Sequence, residues 1–245
     1  FATPVTTTTT NNNNAATEER SAGSTSSPHL RQLTSGAQHG WTSANTPTFS
    51  PCGKYIAFLS NRKDKTKTSV WILPVGGPGE ATLLKEFPVS VGDLDWSHEA
   101  NGIIVSASVY VDGTTSANNK EDAMAMTAAR DKVLDDPEGH LGGLNAVLFK
   151  RLPMREWDRW MDAKMMHPFF VPVVAVESKL QAEAPGGYTI AVDTNPIDLL
   201  QGVPTAVPSG AFGGSEDWSV SPKGAVAVSA RPPMAEDEAW TTNRH

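Results

Sequence analysis

"FSPCGKYIAFLS", residues 49–60, reads as a Pro/Gly turn feeding a short strand that is apolar on both faces. The pattern recurs. In "LDWSHEANGIIVSASV" (94–109) an aromatic residue and Ser97 precede a polar turn ending at Gly102, then an apolar run from Ile103 to Val105. A third copy, "DWSVSPKGAVAVSARP" (217–232), places Ser221, Pro222, Lys223 and Gly224 ahead of Ala225 to Val228. Phe49 and Trp96 lie 47 residues apart, close to the period of about 40–45 expected of one four-stranded propeller blade. The next interval, from 96 to 220, is 124 residues and must hold another blade, an insertion, or both.

The Ser-Pro-x-Gly turn has a physical logic. Pro presets φ and Gly permits positive φ, so the chain reverses at a blade edge. The strand that follows is apolar on both faces because neighbouring blades would cover both sides of its sheet. The small residues Ala57 and Ala227 suit tight packing between blades, and Trp41, Trp71, Trp96 and Trp218 read as core or inter-blade aromatics. "SVWILPV" (69–75) and "ATLLKE" (81–86) supply further short strands, and "HLRQLTSG" (29–36) reads as another. The fold class implied is all-β: a partial β-propeller of about three to four blades over 29–245, with an insertion near 113–147.

Two segments stand apart. Residues 1–28 hold eight Thr, four Asn and four Ser with almost no large apolar side chain. Such a stretch buries too little surface to offset chain entropy and is expected to be a disordered tail. "NNKEDAMAMTAARDKVLDD" (118–136) is rich in helix formers and reads as a helical insertion or a partly ordered loop, with Ala123, Met126, Ala129 or Arg130, and Val133 on one expected face and the acidic Glu121 and Asp122 near its start.

Composition bounds the function. The 245 residues are 39% hydrophobic with a net charge of −7, enough chain for a sizeable core and the wrong sign for a basic nucleic-acid surface. No apolar run is long enough to span a membrane, and no basic-then-apolar leader is visible, which favours a cytoplasmic location. A single cysteine, Cys52, excludes an internal disulfide and a cysteine-rich zinc site, and its place in a turn favours an ordinary turn residue over a nucleophile. The six histidines, His29, His39, His98, His140, His167 and His245, show no metal-ligand spacing, so neither metal nor cofactor is expected.

"LFKRLPMREWDRWMDAKMMHPFFVPV" (148–173) carries a sharper signal. It resembles a segment in the propeller of prolyl oligopeptidase family serine peptidases, in the dipeptidyl-peptidase V and acylaminoacyl-peptidase-like branch. Arg151, Leu152, Pro153, Arg155, Trp157, Asp158, Trp160 and His167 match that pattern, and 196–233 and 238–243 look like the family's following segments. The resemblance covers roughly 29–243. Glu156 stands where the family has His, Asp162-Ala163 replaces an Asp-Gly turn, and Pro168 and Pro172 suit only an edge or irregular strand.

The resemblance implies a propeller that gates an α/β-hydrolase site, admitting short peptides and releasing dipeptides or acylated amino acids by Ser-His-Asp acyl transfer. No Gly-x-Ser-x-Gly elbow occurs in these residues, so the hydrolase domain is expected outside them and this piece alone is expected to be inactive. Substrate-facing candidates are Arg155, Trp157 and Asp158, and the acids Glu216 and Asp217, which could hold a substrate ammonium. A structural pairing of Arg155 with Asp158, and a plain polar turn for Glu216-Asp217, are the favoured readings. The alternative function is a non-catalytic propeller that binds other proteins.

Overall fold

The computed structural model describes residues 32–34, 43–76, 80–97, 101–111, 122–139, 155–156, 159–160, 163–175, 188–190, 195–209 and 213–230. The expected tail (1–28) and Trp41 lie outside these residues. Of the strand expected over 29–36, residues 32–34 are described and belong to no regular element.

The described residues are mostly β-strand in antiparallel sheets, with one α-helix among them. Strands β1 (Ala44–Phe49), β2 (Tyr55–Asp64), β3 (Lys67–Pro74) and β4 (Thr82–Lys85) form a four-stranded meander in chain order. A second sheet runs β5 (Val91–Ser97), β6 (Gly102–Tyr110), β9 (Lys164–Ala175) and β10 (Tyr188–Ile190), with β11 (Ile197–Asp198) also pairing β9. Between β6 and β9 come helix α1 (Ala123–Leu134) and the small hairpin β7 (Arg155–Glu156) and β8 (Arg159–Trp160). Strands β12 (Trp218–Val220) and β13 (Val226–Val228) make a third antiparallel unit. The long interval between the second and third copies of the repeat therefore holds an insertion within one sheet.

Two of the units share one kind of turn between adjacent strands, β1–β2 in the first and β12–β13 in the third. In the first, Gly53 has φ +68°, its N–H donates to Ser50 O (2.8 Å), and Ser50 Oγ accepts the N–H of Tyr55 (3.2 Å). In the third, Gly224 has φ +81°, its N–H donates to Ser221 O (3.0 Å), and Ser221 Oγ accepts the N–H of Ala225 (3.0 Å). The serine hydroxyl closes the loop from inside, and only glycine enters the left-handed region there without strain. The second copy differs. Asn101 takes the positive φ (+48°), a conformation asparagine tolerates. Gly102 is needed for space, since a Cβ there would run into the Phe170 ring and sit 2.8 Å from Val171 O.

The units bury one another. Tyr55, Ala57, Leu59, Val70, Ile72 and Leu84 of the first sheet share a core with Ile103, Val105, Val109, Phe169, Val171 and Val173 of the second. The opposite face of the second sheet, through Ile104 and Phe170, packs on Val207, Trp218, Val226 and Val228. Thus β6, buried along nearly its whole length, is apolar on both faces because both are covered. Ala57 is fully buried, as an inter-sheet position requires. Ala227 is not: Val226 and Val228 turn toward the core and leave it exposed.

Two expectations need correction. The strand containing Pro168 and Pro172 is central, paired with β6 along nine residues and with β10 and β11 on its other side. Val173 N–H donates toward β6, to Asn101 O (2.8 Å). By the alternation of strand N–H groups, both prolines lack their donor on the far side. There the partners are only the short β11 and β10, and Pro172 falls in the gap between their pairings. The helix is also docked by a stripe that shares only Ala123 with the expected face. Ala123, Met124 and Thr127 are its buried residues, while Val133 is 51% exposed. Asp122 caps it, with Oδ1 accepting the N–H groups of Met124 (2.9 Å) and Ala125 (3.3 Å).

Candidate functional site

Among the described residues the most buried acid–base pair is His167 with Asp198. His167 sits on β9 opposite Ala107 of β6, on the face that carries Phe169 and Val171 into the main core. Strand β11 brings Asp198 opposite Phe169, one diagonal step from the imidazole. His167 has no solvent exposure, and its Nδ1 lies 2.9 Å from Asp198 Oδ2 and 3.0 Å from Oδ1. Asp198 Oδ1 also accepts the N–H of Leu200 (2.9 Å), which shapes the turn after β11.

A carboxylate held against Nδ1 fixes the proton there and leaves Nε2 as the outward nitrogen, as in histidines that serve catalysis or bind metals. Here Nε2 is buried and has no hydrogen-bond partner among the described residues. No group of three or more His, Cys, Asp or Glu side chains that could hold a metal occurs among them either. The pair's evident work is to clamp the two-residue strand β11 onto β9. The sequence offered a signal for it: one titratable residue in the middle of "MMHPFFVPVV", which only a distant partner can satisfy.

The residues singled out from the sequence fall in two places. Arg155 and Glu156 form β7, opposite Trp160 and Arg159 of β8, and Trp157 and Asp158 lie outside the described residues. Glu216 and Asp217 share a 3₁₀ turn, Ser215–Asp217, just before β12, in contrasting surroundings. Glu216 is exposed. Asp217 is 2% exposed, and its Oδ2 accepts the N–H of Ser209 (2.9 Å). Its carbonyl accepts Ser229 N–H (2.7 Å). Gly213 allows this closeness, because a Cβ would collide with Asp217 Oδ2 and the Ser209 backbone. Asp217 thus holds its loop together from inside.

A second polar network fastens α1 to the end of the second sheet. Tyr110 Oη donates to Asp131 Oδ1 (2.9 Å), Lys164 Nζ to Asp131 Oδ2 (2.8 Å), and Tyr110 N–H to Thr127 Oγ1 (3.2 Å). Arg130 stacks over the Tyr110 ring at 3.9 Å. On the outer face of the first sheet Arg62 lies over both Phe58 (4.9 Å) and Trp71 (4.8 Å), and burial lowers its pKa. Burial, then the nearby Cys52, raises that of Tyr55. No known protein family matches this chain, and no curated protein sequence does. No helix among the described residues is long and apolar enough to cross a membrane.

Proposed function

We propose that the chain is part of a β-propeller, and that this propeller is the substrate-gating portion of a serine exopeptidase acting on short peptides. The observation that supports the blade reading is the repetition of one construction. Two antiparallel units reverse between adjacent strands through a Ser-Pro-x-Gly turn, at 50–53 and 221–224, a third reverses between Ser97 and Gly102, and the units cover one another's faces. A propeller is built by such radial repetition.

The peptidase reading rests on the resemblance of 148–173 to the prolyl oligopeptidase family. On this reading, catalysis belongs to a Ser-His-Asp triad in a hydrolase domain outside these residues, and the propeller selects by size. The test is the coding sequence beyond His245. An open frame that reaches Gly-x-Ser-x-Gly, followed by Asp and His, is expected. A stop codon directly after His245 would remove the enzyme and leave the binding-module reading.

A further inference from the structure

The turn between β5 and β6 carries a reactive pair that none of the sites above uses. Asn101-Gly102 is the chain's sole Asn-Gly sequence. The backbone nitrogen that follows an asparagine can attack the side-chain amide carbon, and glycine, with no Cβ, shields that nitrogen least. Asn101 is exposed, so solvent reaches its end of the turn.

The folded turn withholds the attacking nitrogen. Val173 N–H donates to Asn101 O (2.8 Å), so along β6 the residues on either side of Gly102 bond toward β9. By alternation Gly102 directs its own N–H toward β5, where it stands opposite Ser97. The position is also crowded: Gly102 is buried against the Phe170 ring and Val171 O, which leave no room even for a Cβ. Asn101 itself is held at φ +48°. For the reaction to occur, Gly102 N must give up its place in the ladder and swing onto Asn101 Cγ, which parts this end of β6 from its neighbours.

We propose that Asn101-Gly102 is a self-modification site controlled by the fold, silent in the native turn and converted when the first residues of β6 come away from β5 and β9. In the first step Gly102 N bonds to Asn101 Cγ, and its proton leaves with the side-chain NH₂ as ammonia, giving a five-membered imide. Water then adds to one imide carbonyl, and the C–N bond there breaks. Opening at Cγ leaves aspartate. Opening at the main-chain carbonyl carbon leaves isoaspartate, whose backbone runs through the former side chain and is one methylene longer. Either product adds one negative charge. Isoaspartate also displaces the carbonyl that binds Val173 N–H, in a place with no slack around Gly102, so a chain that has opened is marked and kept from closing. The inference stands on this turn alone, whether or not the chain belongs to a peptidase.

The experiment incubates the full chain at mildly alkaline pH, in native buffer and in parallel in denaturing urea. The peptide containing residue 101 is followed by mass spectrometry, with electron-transfer fragmentation to tell aspartate from isoaspartate. In urea both products are expected. In native buffer conversion should be at least about tenfold slower, because the reaction proceeds from the opened fraction alone. Phe170→Ala, which frees space over Gly102, should speed native conversion several-fold and leave the rate in urea unchanged. Should that variant not fold, urea below the unfolding transition gives the same readout on the parent chain, with conversion rising before the chain unfolds. After urea is removed, the Val173 amide should regain protection from hydrogen exchange in chains carrying aspartate and not in those carrying isoaspartate. No conversion in urea, or a native rate equal to the rate in urea, would overturn the proposal. So would a native rate that neither Phe170→Ala nor mild urea moves, or equal Val173 protection in the two products.

Discussion

His167 and Asp198, 31 residues apart in the chain, meet through an imidazole nitrogen 2.9 Å from a carboxylate oxygen. The histidine is wholly buried and the aspartate side chain is 11% exposed. Strand β11 is two residues long and has little ladder of its own, so this bond does much of the work of holding it. Replacing Asp198 with Ala strands a buried nitrogen and frees the Leu200 N–H as well. The expected loss is about 2–3 kcal/mol, since a hydrogen bond to a charged group is worth that when its partner stays buried. Urea unfolding at neutral pH measures it. With His167→Ala as the second arm, a double-mutant cycle should give a coupling of about 1 kcal/mol or more. Additive losses would show the two side chains to be independent.

The repeat was legible in the sequence because its information is local. Ser50, Pro51 and Gly53 contact each other within one turn, and Ser221, Pro222 and Gly224 do the same, so composition and spacing suffice. The insertion was legible as helix-forming for the same reason, through its alanines and the acidic residues near its start, one of which, Asp122, is the cap. Its docked face was legible only at Ala123. The stripe that meets the sheet includes Thr127 and Asp131, polar residues satisfied by Tyr110, and apolar periodicity points to Val133 instead. The central place of β9 is hidden by Pro168 and Pro172, because proline removes a donor on one side of a strand only, and here that side has short partners. His167–Asp198 depends wholly on chain topology, which brings β11 beside β9.

Gly102 is fixed by the approach of β9. An alanine Cβ would meet the Phe170 ring and the Val171 carbonyl oxygen, and the carbonyl is backbone that cannot swing aside. Gly102→Ala should cost about 1–3 kcal/mol, the usual range for overpacking a closed interior. A thermal or urea midpoint checks it. Phe170→Leu in the same chain should recover part of the loss, whereas an unaltered midpoint for Gly102→Ala would mean that the strands separate freely there.

Thr46 carries strain of another kind. It has φ +49° in the irregular stretch of β1 between Asn45 and Thr48, where the register against β2 shifts. A β-branched residue is poorly suited to the left-handed region. Thr46→Gly relieves that strain but adds freedom to the unfolded chain. The balance should favour the variant by about 0.5–1 kcal/mol, because glycine occupies this conformation without penalty. A lower unfolding midpoint would show that the bulge is not strained.

Asp64, in the β2–β3 turn, has its pKa lowered chiefly by the Thr66 hydroxyl, at 2.7 Å, and then by the Thr66 N–H, at 2.9 Å. A carboxyl held below its unfolded value favours the native state while ionised. That contribution is present at neutral pH and disappears as the pH falls through the folded-state pKa. Thr66→Ala removes the hydroxyl and keeps the N–H, so the Asp64 pKa should rise part of the way toward the ordinary carboxylate value. Carbon-detected NMR titration of the side-chain carboxyl reads this directly. Thr66 is exposed and Asp64 half-buried in this surface turn, so neutral-pH stability should hardly change while the titration moves. A titration identical to that of the parent chain would mean that the hydroxyl bond does not persist in solution.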